Sequence, residues 1–337
     1  MTVSTLWACG CAFALSWVLT WWVRRVALAR GLLDQPNDRS SHSIPTPRVG
    51  GIAIVIAASA GMLLLLGAGQ LDLKLAIALI GGGSAIAAVG FMDDRRRLSA
   101  RVRFAVHVVA ALWALMWLGG LPPLRIGGHI TALGPAGYAL GVLAIVWVLN
   151  LFNFMDGIDG IAASEAIFIV CGATLAAAAT GATTGAALVL GAASGGFLLW
   201  NWPPAKIFMG DVGSAYLGYL IGVLAVAATR DDAAAVWIWL TLGGVFFVDA
   251  TATLIRRALR RERLHQAHRS HAYQRLARRW ASHGRATTLV LAINCCWLLP
   301  CALFAVRHPA LAAWTVVVAL APLAVLAFLT GAGRAET

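Results

Sequence analysis

The sequence predicts an all-α integral membrane protein. Of its 337 residues, 60% are hydrophobic and only 12% are charged, which leaves little polar surface for a large soluble domain. About eleven apolar runs are long enough to cross a bilayer as helices, and basic residues concentrate in alternate loops between these runs. Together these observations indicate a single polytopic membrane domain covering residues 1–337.

The apolar runs define ten or eleven predicted transmembrane helices. The first has no basic leader and ends in WWVRR, where aromatic and arginine side chains mark a membrane boundary. We therefore predict that this first helix is retained rather than cleaved. The predicted spans cover residues 3–23, 49–67, 75–92, 104–120, 135–151, 161–180, 183–200, 212–228, 233–255, 287–306 and 309–330.

The distribution of positive charge predicts the orientation of these helices. One set of loops, at residues 24–48, 93–103, 152–160, 201–211, 256–286 and the C-terminus, holds all but four of the 26 Lys and Arg residues. The exceptions are Lys74, Arg125, Arg230 and Arg307. By the positive-inside rule the N-terminus is outside and the C-terminus is cytoplasmic. Topology thus explains the net charge of +12, and we predict contacts with membrane lipids but no nucleic-acid binding.

Two further features carry no evident chemistry. The six cysteines lie in apolar runs without CxxC spacing, which favours buried thiols over disulfides or a zinc site. The outer segment PPLRIGGHITAL alternates around Gly127 and Gly128, which predicts a small outer hairpin near residues 122–133.

Three acidic segments lie where predicted helices reach the cytoplasmic side. They are Asp93 and Asp94 in GFMDDRRRLSARVRF, Asp156 and Asp159 in NFMDGIDG, and Asp211 in NWPPAKIFMGDVGSAYLG. A helix cap or a turn would explain any one of them, but three clusters at one depth need a further explanation. Carboxylates repel each other near hydrocarbon unless a cation or a proton compensates them.

A divalent metal would explain these clusters. Mg²⁺ is typically bound by one or two carboxylates and by phosphate oxygens of a substrate. Asp156 and Asp159 are three residues apart and would lie on one face if the chain there is helical, and Asn150 and Asn153 repeat the same step. We interpret this glycine-spaced polar segment as a platform for a ligand.

The cytoplasmic loops also supply candidate anion-binding residues. These are Arg39, His42 and Arg48 in the first loop, and His265, His268, Arg269 and His271 in the longest. Three-residue steps drift around a helix and no carboxylate is interleaved, so phosphate or nucleotide contacts are favoured over a zinc site. The predicted active-site loops are residues 24–48, 93–103, 150–160, 201–213 and 256–286. They indicate a site for phosphorylated substrates, one of which could come from the membrane.

Four motifs occur in the order FMDDRRRLS, NLFNFMDGIDGIA, PPAKIFMGDVGSAYLG and HRSHAYQRL. In this order and with these intervening spans, they resemble the polyprenyl-phosphate N-acetylhexosamine-1-phosphate transferases, relatives of the phospho-N-acetylmuramoyl-pentapeptide transferase. The similarity runs from about Leu33 to Arg279. The first loop, LLDQPNDRSSHSIPTPRVGG, resembles the branch that begins O-antigen or related surface polysaccharides in bacteria.

The resemblance implies a reaction and a location. Undecaprenyl phosphate would attack the sugar-linked phosphate of a UDP-N-acetylhexosamine, giving undecaprenyl-pyrophosphoryl-sugar and UMP, with Mg²⁺ as cofactor and Mn²⁺ as a substitute. The active site would face the cytoplasm from the bacterial inner membrane. The donor stays open between UDP-GlcNAc and 6-deoxy sugars such as UDP-N-acetylfucosamine or UDP-N-acetylquinovosamine, and a homodimer is also left open.

The resemblance also implies roles for individual residues. Asp211 matches the acid of the GDxGS signature and would bind Mg²⁺ directly. Asp93 and Asp94 match an Asp pair, of which one would orient or deprotonate the lipid phosphate and the other would contribute to metal binding. The predicted catalytic residues are thus Asp93, Asp94 and Asp211, and the predicted metal ligands are Asp211, Asp94 and Asp156. The predicted substrate contacts are Asn150, Asn153, Asp156, Asp159, His268, Arg269, His271, Arg48 and Lys206.

Two positions depart from the family pattern or carry alternatives. The loop reads His-Arg-Ser-His at 268–271, where many relatives have nearly consecutive histidines, so its location is better defined than the roles of its members. Asp249 lies within the predicted ninth helix and matches an acidic position in relatives. Its alternatives are support of the site and a buried hydrogen bond between helices.

Two other functions fit the sequence less well. A CDP-alcohol phosphotransferase requires Ala-Arg two residues after its DG, whereas Asp156-Gly157 is followed by Ile158-Asp159-Gly160. A secondary transporter would place acids near the bilayer midplane, where only Asp249 is predicted to lie. Within the transferase reaction, direct attack by lipid phosphate and a covalent phospho-enzyme both stay open.

Overall fold

The computed structural model describes residues 1–31, 33–35, 45–96, 98–176, 181–262 and 268–334. Its α-helices are α1 (Val3–Ala29), α2 (Gly51–Gly67), α3 (Leu73–Ala76), α4 (Gly82–Arg96), α5 (Ala100–Leu118), α6 (Pro135–Met155), α7 (Ile161–Leu175), α8 (Gly181–Asn201), α9 (Asp211–Asp231), α10 (Ala235–Leu242), α11 (Gly244–Leu259), α12 (Ala272–Arg279), α13 (His283–Ile293), α14 (Leu299–Arg307) and α15 (Ala312–Leu329). Short π-helical turns lie at Ile77–Gly81 and Asn294–Leu298, and a 3₁₀ turn lies at Pro309–Leu311. The strands are β1 (Leu33–Asp34), β2 (Thr46–Pro47), β3 (Leu124–Ile126) and β4 (His129–Thr131).

The described helices confirm the all-α membrane fold. Eight helical segments are long and apolar enough to cross a membrane, and the α10–α11 pair, bent by 72°, makes a ninth if it is one span. The shorter apolar helices α2 and α7 occupy the positions of the second and sixth predicted spans. Each of the eleven predicted runs therefore overlaps a helix in the described part of the chain, while the number that crosses the membrane stays a prediction.

Hydrogen bonds between loops agree with the predicted division into two sides. On the predicted outer side, Thr2 Oγ1 donates to Gln70 Oε1 at 2.6 Å. On the predicted cytoplasmic side, the Gly333 amide donates to the Ser270 carbonyl at 2.8 Å, and the Phe208 amide donates to the Pro47 carbonyl at 2.8 Å. These contacts assign the loops to two groups, and the direction in which each group faces stays a prediction.

The predicted hairpin is confirmed, and its location on the outer side stays a prediction. Strands β3 and β4 pair antiparallel, with Ile126 opposite His129 across the turn. Gly127 has φ +60°, the left-handed conformation that this turn requires and that glycine adopts without a steric penalty.

Helix α9 lies at the centre of the molecule. In the most apolar stretch of α9, 94% of the residues are buried, compared with 28% in that of α1. The buried Tyr219 of α9 donates its hydroxyl to the Ala78 carbonyl at 2.9 Å, inside the π-helical turn that precedes α4. Because a Cβ at Gly82 would lie 1.8 Å from that hydroxyl, glycine is required where α4 crosses α9.

Close backbone contacts fix the first turn of α9. A Cβ on Gly51 would lie 2.4 Å from the Gly213 Cα, and a Cβ on Gly90 would lie 2.7 Å from the Val212 Cα. Helices α2 and α4 therefore pack directly against the backbone at the start of α9, which small residues permit. This packing fixes the position of Asp211, the first residue of α9.

A buried polar pair joins α7 to the π-helical turn after α13. Asn294 Nδ2 donates to Glu165 Oε2 at 2.5 Å, and both residues are fully buried. Glu165 Oε1 and Asn294 Oδ1 have no hydrogen-bond partner in the described chain. The pair therefore depends on the single hydrogen bond from the Asn294 amide to the Glu165 carboxyl, because an unpaired buried polar group is costly.

We expect Asn294→Leu to destabilise the protein by about 1–3 kcal/mol, because the Glu165 carboxyl would lose its donor inside the bundle. The double variant Glu165→Leu/Asn294→Leu should recover most of the loss, since it removes both polar groups. Thermal unfolding in detergent measures both effects. A double variant less stable than Asn294→Leu would contradict this interpretation.

Candidate active site

The Asp94 carboxylate is bound to the N-terminus of α9. Its side chain is fully buried, and its two oxygens accept the Asp211 amide at 3.0 Å and the Val212 amide at 3.2 Å. These N–H groups have no partner within their own helix, and the helix terminus favours negative charge. Gly210 has φ +74°, and a Cβ there would lie 2.6 Å from Asp94 Oδ2, which explains the glycine of the GDVGS motif.

Two arginines contact the Asp211 carboxylate, Arg48 from the loop before α2 and Arg103 from the first turn of α5. Arg48 Nη2 lies 3.6 Å from Asp211 Oδ1, and Arg103 Nη1 lies 3.4 Å from Asp211 Oδ2. Arg48 also places Nε 3.2 Å from Asp94 Oδ1. The Arg48 side chain is 40% exposed and that of Asp211 is 23% exposed, so this arginine–aspartate cluster is accessible to a ligand.

Asp93 holds Arg103 in place. Its carboxylate accepts the Leu98 amide and the Arg103 guanidinium, both at 2.5 Å. The turn between α4 and α5 therefore positions the Arg103 guanidinium beside Asp211. Arg103 is not among the site residues predicted from the sequence. Its available signal was a basic residue in the first turn of a helix, ten positions after an acidic pair.

The expectation that Asp156 and Asp159 share one helical face, which required a helix at this point, is not met. Helix α6 ends at Met155, and residues 156–160 form a non-helical loop, so the condition for that arrangement is not met. Burial raises the pKa of the half-buried Asp156 carboxyl well above its ordinary value, and the nearby charges of Asp211, Asp94 and Asp159 raise it further, against the lowering effect of Arg48. Asp156 is thus the residue of the DGIDG segment that adds to the acidic cluster around Asp211.

Asp159 instead ties three parts of the chain together. Its Oδ2 accepts the Ala205 amide at 3.0 Å, and its Oδ1 lies 3.1 Å from His283 Nδ1. Its backbone carbonyl accepts the Thr287 hydroxyl at 2.9 Å. The carboxylate therefore supports the loop before α9 and the start of α13, a role that needs the long-range partner His283, which sequence reasoning missed.

A cavity of about 380 Å³ lies beside Asp211, between α4, α5, α6 and α9. Asn150 and Asn153, two of the predicted substrate contacts, line it. Asn153 Nδ2 donates to Ser214 Oγ at 3.2 Å, while Asn150 Nδ2 donates to the Val146 carbonyl at 2.7 Å. The full lining is Val89, Gly90, Ala100, Arg101, Arg103, Phe104, His107, Asn150, Asn153, Phe154, Asp211 and Ala215.

The buried Asp249 carboxylate supports the histidine loop from below. It accepts the Ala272 amide at 2.8 Å and the Tyr273 amide at 3.0 Å, and its Oδ1 lies 3.4 Å from His271 Nδ1. Tyr273 in turn donates its hydroxyl to the Phe154 carbonyl at the end of α6, at 3.1 Å. The Asp249 carboxylate therefore caps α12, and Tyr273 connects α12 to α6, the helix that carries Asn153. These contacts fit support of the site, one of the two alternatives for Asp249.

His268 lies on this support as a neutral group. Its ring stacks on that of His271 with centroids 4.9 Å apart, and its Nδ1 lies 3.0 Å from Ser270 Oγ. Burial lowers the pKa of His268 to about 3, with further lowering by His271 and Arg257. The ring can therefore exchange hydrogen bonds with a ligand at neutral pH but supplies no positive charge.

The remaining predicted residues are placed less centrally. Lys206 is exposed, and its Nζ lies 5.5 Å from the centroid of the Trp200 ring. Arg269 is half-buried, and its carbonyl accepts from Arg278 at 2.9 Å. The predictions for Arg39, His42 and His265 lie outside the described residues.

The residues present fit a metal held partly by its substrate. The described residues contain no group of three or more His, Cys, Asp or Glu side chains arranged for a metal ion. Mg²⁺ needs only one or two carboxylates when phosphates complete its shell. Asp211 is partly accessible, and burial together with the nearby charges of Asp211 and Asp94 raises the pKa of Asp156 while Arg48 lowers it. These two residues are the carboxylates best suited to hold such an ion.

Comparisons with known proteins agree with the resemblance seen in the motifs. Residues 76–229 match the family described as Glycosyl transferase family 4. The chain is 32% identical over 286 residues to the probable undecaprenyl-phosphate N-acetylglucosaminyl 1-phosphate transferase of Bacillus subtilis (strain 168), covering 82% of this chain and 78% of that protein.

Two other relatives extend this finding. The decaprenyl-phosphate N-acetylglucosaminephosphotransferase of Mycolicibacterium smegmatis is 29% identical over 316 residues, covering 83% of this chain and 77% of that protein. The phospho-N-acetylmuramoyl-pentapeptide-transferase of Synechococcus elongatus is 27% identical over 277 residues, covering 75% of this chain and 73% of that protein.

We expect Asp94→Ala to lower the melting temperature as well as turnover, because the first turn of α9 loses its cap, a change worth about 0.5–2 kcal/mol. Asp94→Asn keeps one acceptor oxygen and should retain more of the stability. Thermal unfolding in detergent compares the two variants with the wild type. An Asp94→Ala variant of unchanged stability would show that the cap is dispensable.

We expect Asp249→Leu to loosen residues 268–279 selectively, because the Ala272 and Tyr273 amides would lose their acceptor. Hydrogen exchange should become faster in that segment and stay unchanged in α2 and α8. Faster exchange throughout the bundle would instead indicate a general packing defect.

Proposed function

Since the chain belongs to glycosyl transferase family 4, together with the polyprenyl-phosphate N-acetylhexosamine-1-phosphate transferases, we propose that it transfers an N-acetylhexosamine 1-phosphate from a UDP-sugar to undecaprenyl phosphate. The observation that carries this proposal is the arginine–aspartate cluster at Asp211. It lies beside a cavity among membrane-spanning helices, where a lipid phosphate and a soluble nucleotide can meet.

The proposed reaction is a phosphoryl transfer. An oxygen of the lipid phosphate attacks the sugar-linked phosphorus of the UDP-sugar, and the bond from that phosphorus to the UMP oxygen breaks. The products are undecaprenyl-pyrophosphoryl-sugar and UMP. Such a reaction depends on aligning the two phosphates and neutralising their charge rather than on elaborate covalent chemistry.

Arg48 and Arg103 are the residues proposed to bind the reacting phosphates. Each now contacts carboxylates, Arg48 those of Asp94 and Asp211 and Arg103 those of Asp93 and Asp211. A guanidinium presents several N–H groups and can bind a phosphate while keeping one carboxylate contact. Asn150 and Asn153 line the same cavity and would orient the bound groups.

Asp211 and Asp156 are proposed to hold Mg²⁺, for which Mn²⁺ would substitute. When bound, the ion would neutralise the charge of the phosphates. Asp94 was also a predicted metal ligand, but its oxygens already accept two amides of α9. We therefore assign Asp94 and Asp93 to positioning α9 and Arg103, in place of the direct catalytic role that the resemblance implied.

The wider role follows from the resemblance of the first loop. We propose that the protein acts at the cytoplasmic face of the bacterial inner membrane and begins an O-antigen or related polysaccharide, with GlcNAc or a 6-deoxy N-acetylhexosamine as its sugar. The transporter alternative gains no support from Asp249, because that carboxylate caps α12 and has little capacity left for a transported ion.

Direct attack and a covalent phospho-enzyme predict different exchange reactions. A phospho-enzyme would exchange label between UMP and UDP-sugar in fully delipidated protein. Direct attack allows this exchange only when lipid phosphate is present.

We expect detergent-purified protein with Mg²⁺ and undecaprenyl phosphate to release UMP from one member of a panel of UDP-N-acetylhexosamines, with an equal amount of butanol-extractable lipid-linked sugar. Chelation should abolish the reaction, and Asp211→Asn should reduce turnover by about 100-fold or more, since a charged group at the reacting phosphates is lost.

The matched control is Asp72→Asn on the predicted outer side, where the side chain accepts the Leu75 amide at the start of α3 and Asn caps equally well. It should retain wild-type turnover. Folded wild-type protein that forms no product from any UDP-N-acetylhexosamine would contradict the proposal.

A further inference from the structure

The cavity beside Asp211 reaches the surface of α5 at Phe104. Phe104 lines it and is 58% exposed. Val102 and Val109, on another face of the same helix, are 48% and 64% exposed. Large apolar side chains exposed on a helix of a membrane bundle face lipid. Phe104 therefore belongs both to the cavity lining and to the lipid-facing surface of α5.

The chemistry of the cavity changes along α5. Arg101 and Arg103 lie in the first turn of α5, and His107 lies one turn beyond Arg103, a rise of about 6 Å along the helix axis. The cavity lining also includes the apolar Val89 of α4 and Ala215 of α9, beside the polar Asn150 of α6. A phosphate near Arg103 with an apolar chain leading past Phe104 would match this gradient from charged to apolar.

His107 is a polar group in the inner part of the cavity whose present role is unexplained by packing. It is only 8% exposed. Its Nδ1 is sealed from solvent and has no hydrogen-bond partner in the part of the chain that the structure describes. A ring nitrogen buried without a partner costs free energy. Nε2 is then the ring atom left to meet a ligand in the cavity.

We propose that His107 is a binding residue for the lipid acceptor: its Nε2–H donates to a phosphate oxygen of the polyprenyl phosphate whose charge Arg103 neutralises. This inference rests on the proposed function for the identity of the lipid. The hydrogen bond fixes how deeply the phosphate enters the cavity, and therefore its alignment with the nucleotide sugar at Asp211.

The test compares Michaelis constants for the two substrates. His107→Leu removes the donor while keeping a side chain of similar size. It should raise the KM for undecaprenyl phosphate about tenfold, the usual effect of losing a hydrogen bond to a charged group, and leave the KM for the UDP-sugar unchanged. His107→Gln places an amide N–H near the position of Nε2 and should restore the lower KM. His129→Leu, on the exposed strand β4, is the matched control and should behave as the wild type.

Two outcomes would overturn the proposal. One is an unchanged KM for undecaprenyl phosphate in His107→Leu. The other is an equal rise of both KM values with a lower melting temperature and no rescue by Gln, which would show a structural role. A rise confined to the KM for the UDP-sugar would assign His107 to the nucleotide phosphates and also count against the lipid contact.

A binding measurement keeps this test separate from the proposed function. Thermal shifts of the wild type and His107→Leu are compared with undecaprenyl phosphate and with undecaprenol as added lipids. The wild type should prefer the phosphate, and the variant should lose that preference. If the wild type made no sugar product but this difference persisted, the proposed function would fail while the phosphate contact of His107 stood.

Discussion

The arrangement of the site depends on one interaction, the buried Asp94 carboxylate at the N-terminus of α9. This contact joins the end of α4 to the most buried helix of the bundle and fixes the residue at which α9 begins. Since that residue is Asp211, the cap determines where the accessible carboxylate of the site lies. The glycines at positions 51, 90 and 210 permit the close approach that the cap needs.

Charge balance explains why the remaining groups gather at this point. The dipole of α9 and its first two amides compensate the negative charge of Asp94. Arg103 and the Leu98 amide compensate that of Asp93. Asp211 shares its arginines with these neighbours. Burial, and after it the charges of the surrounding acids, disfavours the charged form of Asp156. A site with spare negative charge and with arginines that can exchange partners suits a cation and phosphates bound together. Ligand binding would therefore replace contacts within the protein rather than create a site from unpaired groups.

Much of this organisation could be predicted from the sequence. The apolar runs gave the helices, and the glycine pair at 127–128 gave the outer hairpin. The clustering of acids at predicted helix ends located the site. Side-chain directions could not be predicted, because they depend on contacts distant in the chain. Asp159 turns to Ala205 and His283 across a loop that is not helical. His107 lies in a run that resembles an ordinary span, and the Lys206 ammonium lies over the ring of Trp200.

The most direct test of this division of roles measures turnover and melting temperature together for Asp→Asn variants at positions 93, 94, 156, 159 and 211. The structure predicts that Asp156→Asn and Asp211→Asn lose turnover while keeping the wild-type melting temperature. It predicts that Asp94→Asn and Asp159→Asn lose stability as well, since their carboxylates hold backbone amides. If Asp94→Asn lost all turnover with no change in stability, its carboxylate would act on substrate or metal, and the assignment of Asp94 as the anchor of α9 would be contradicted.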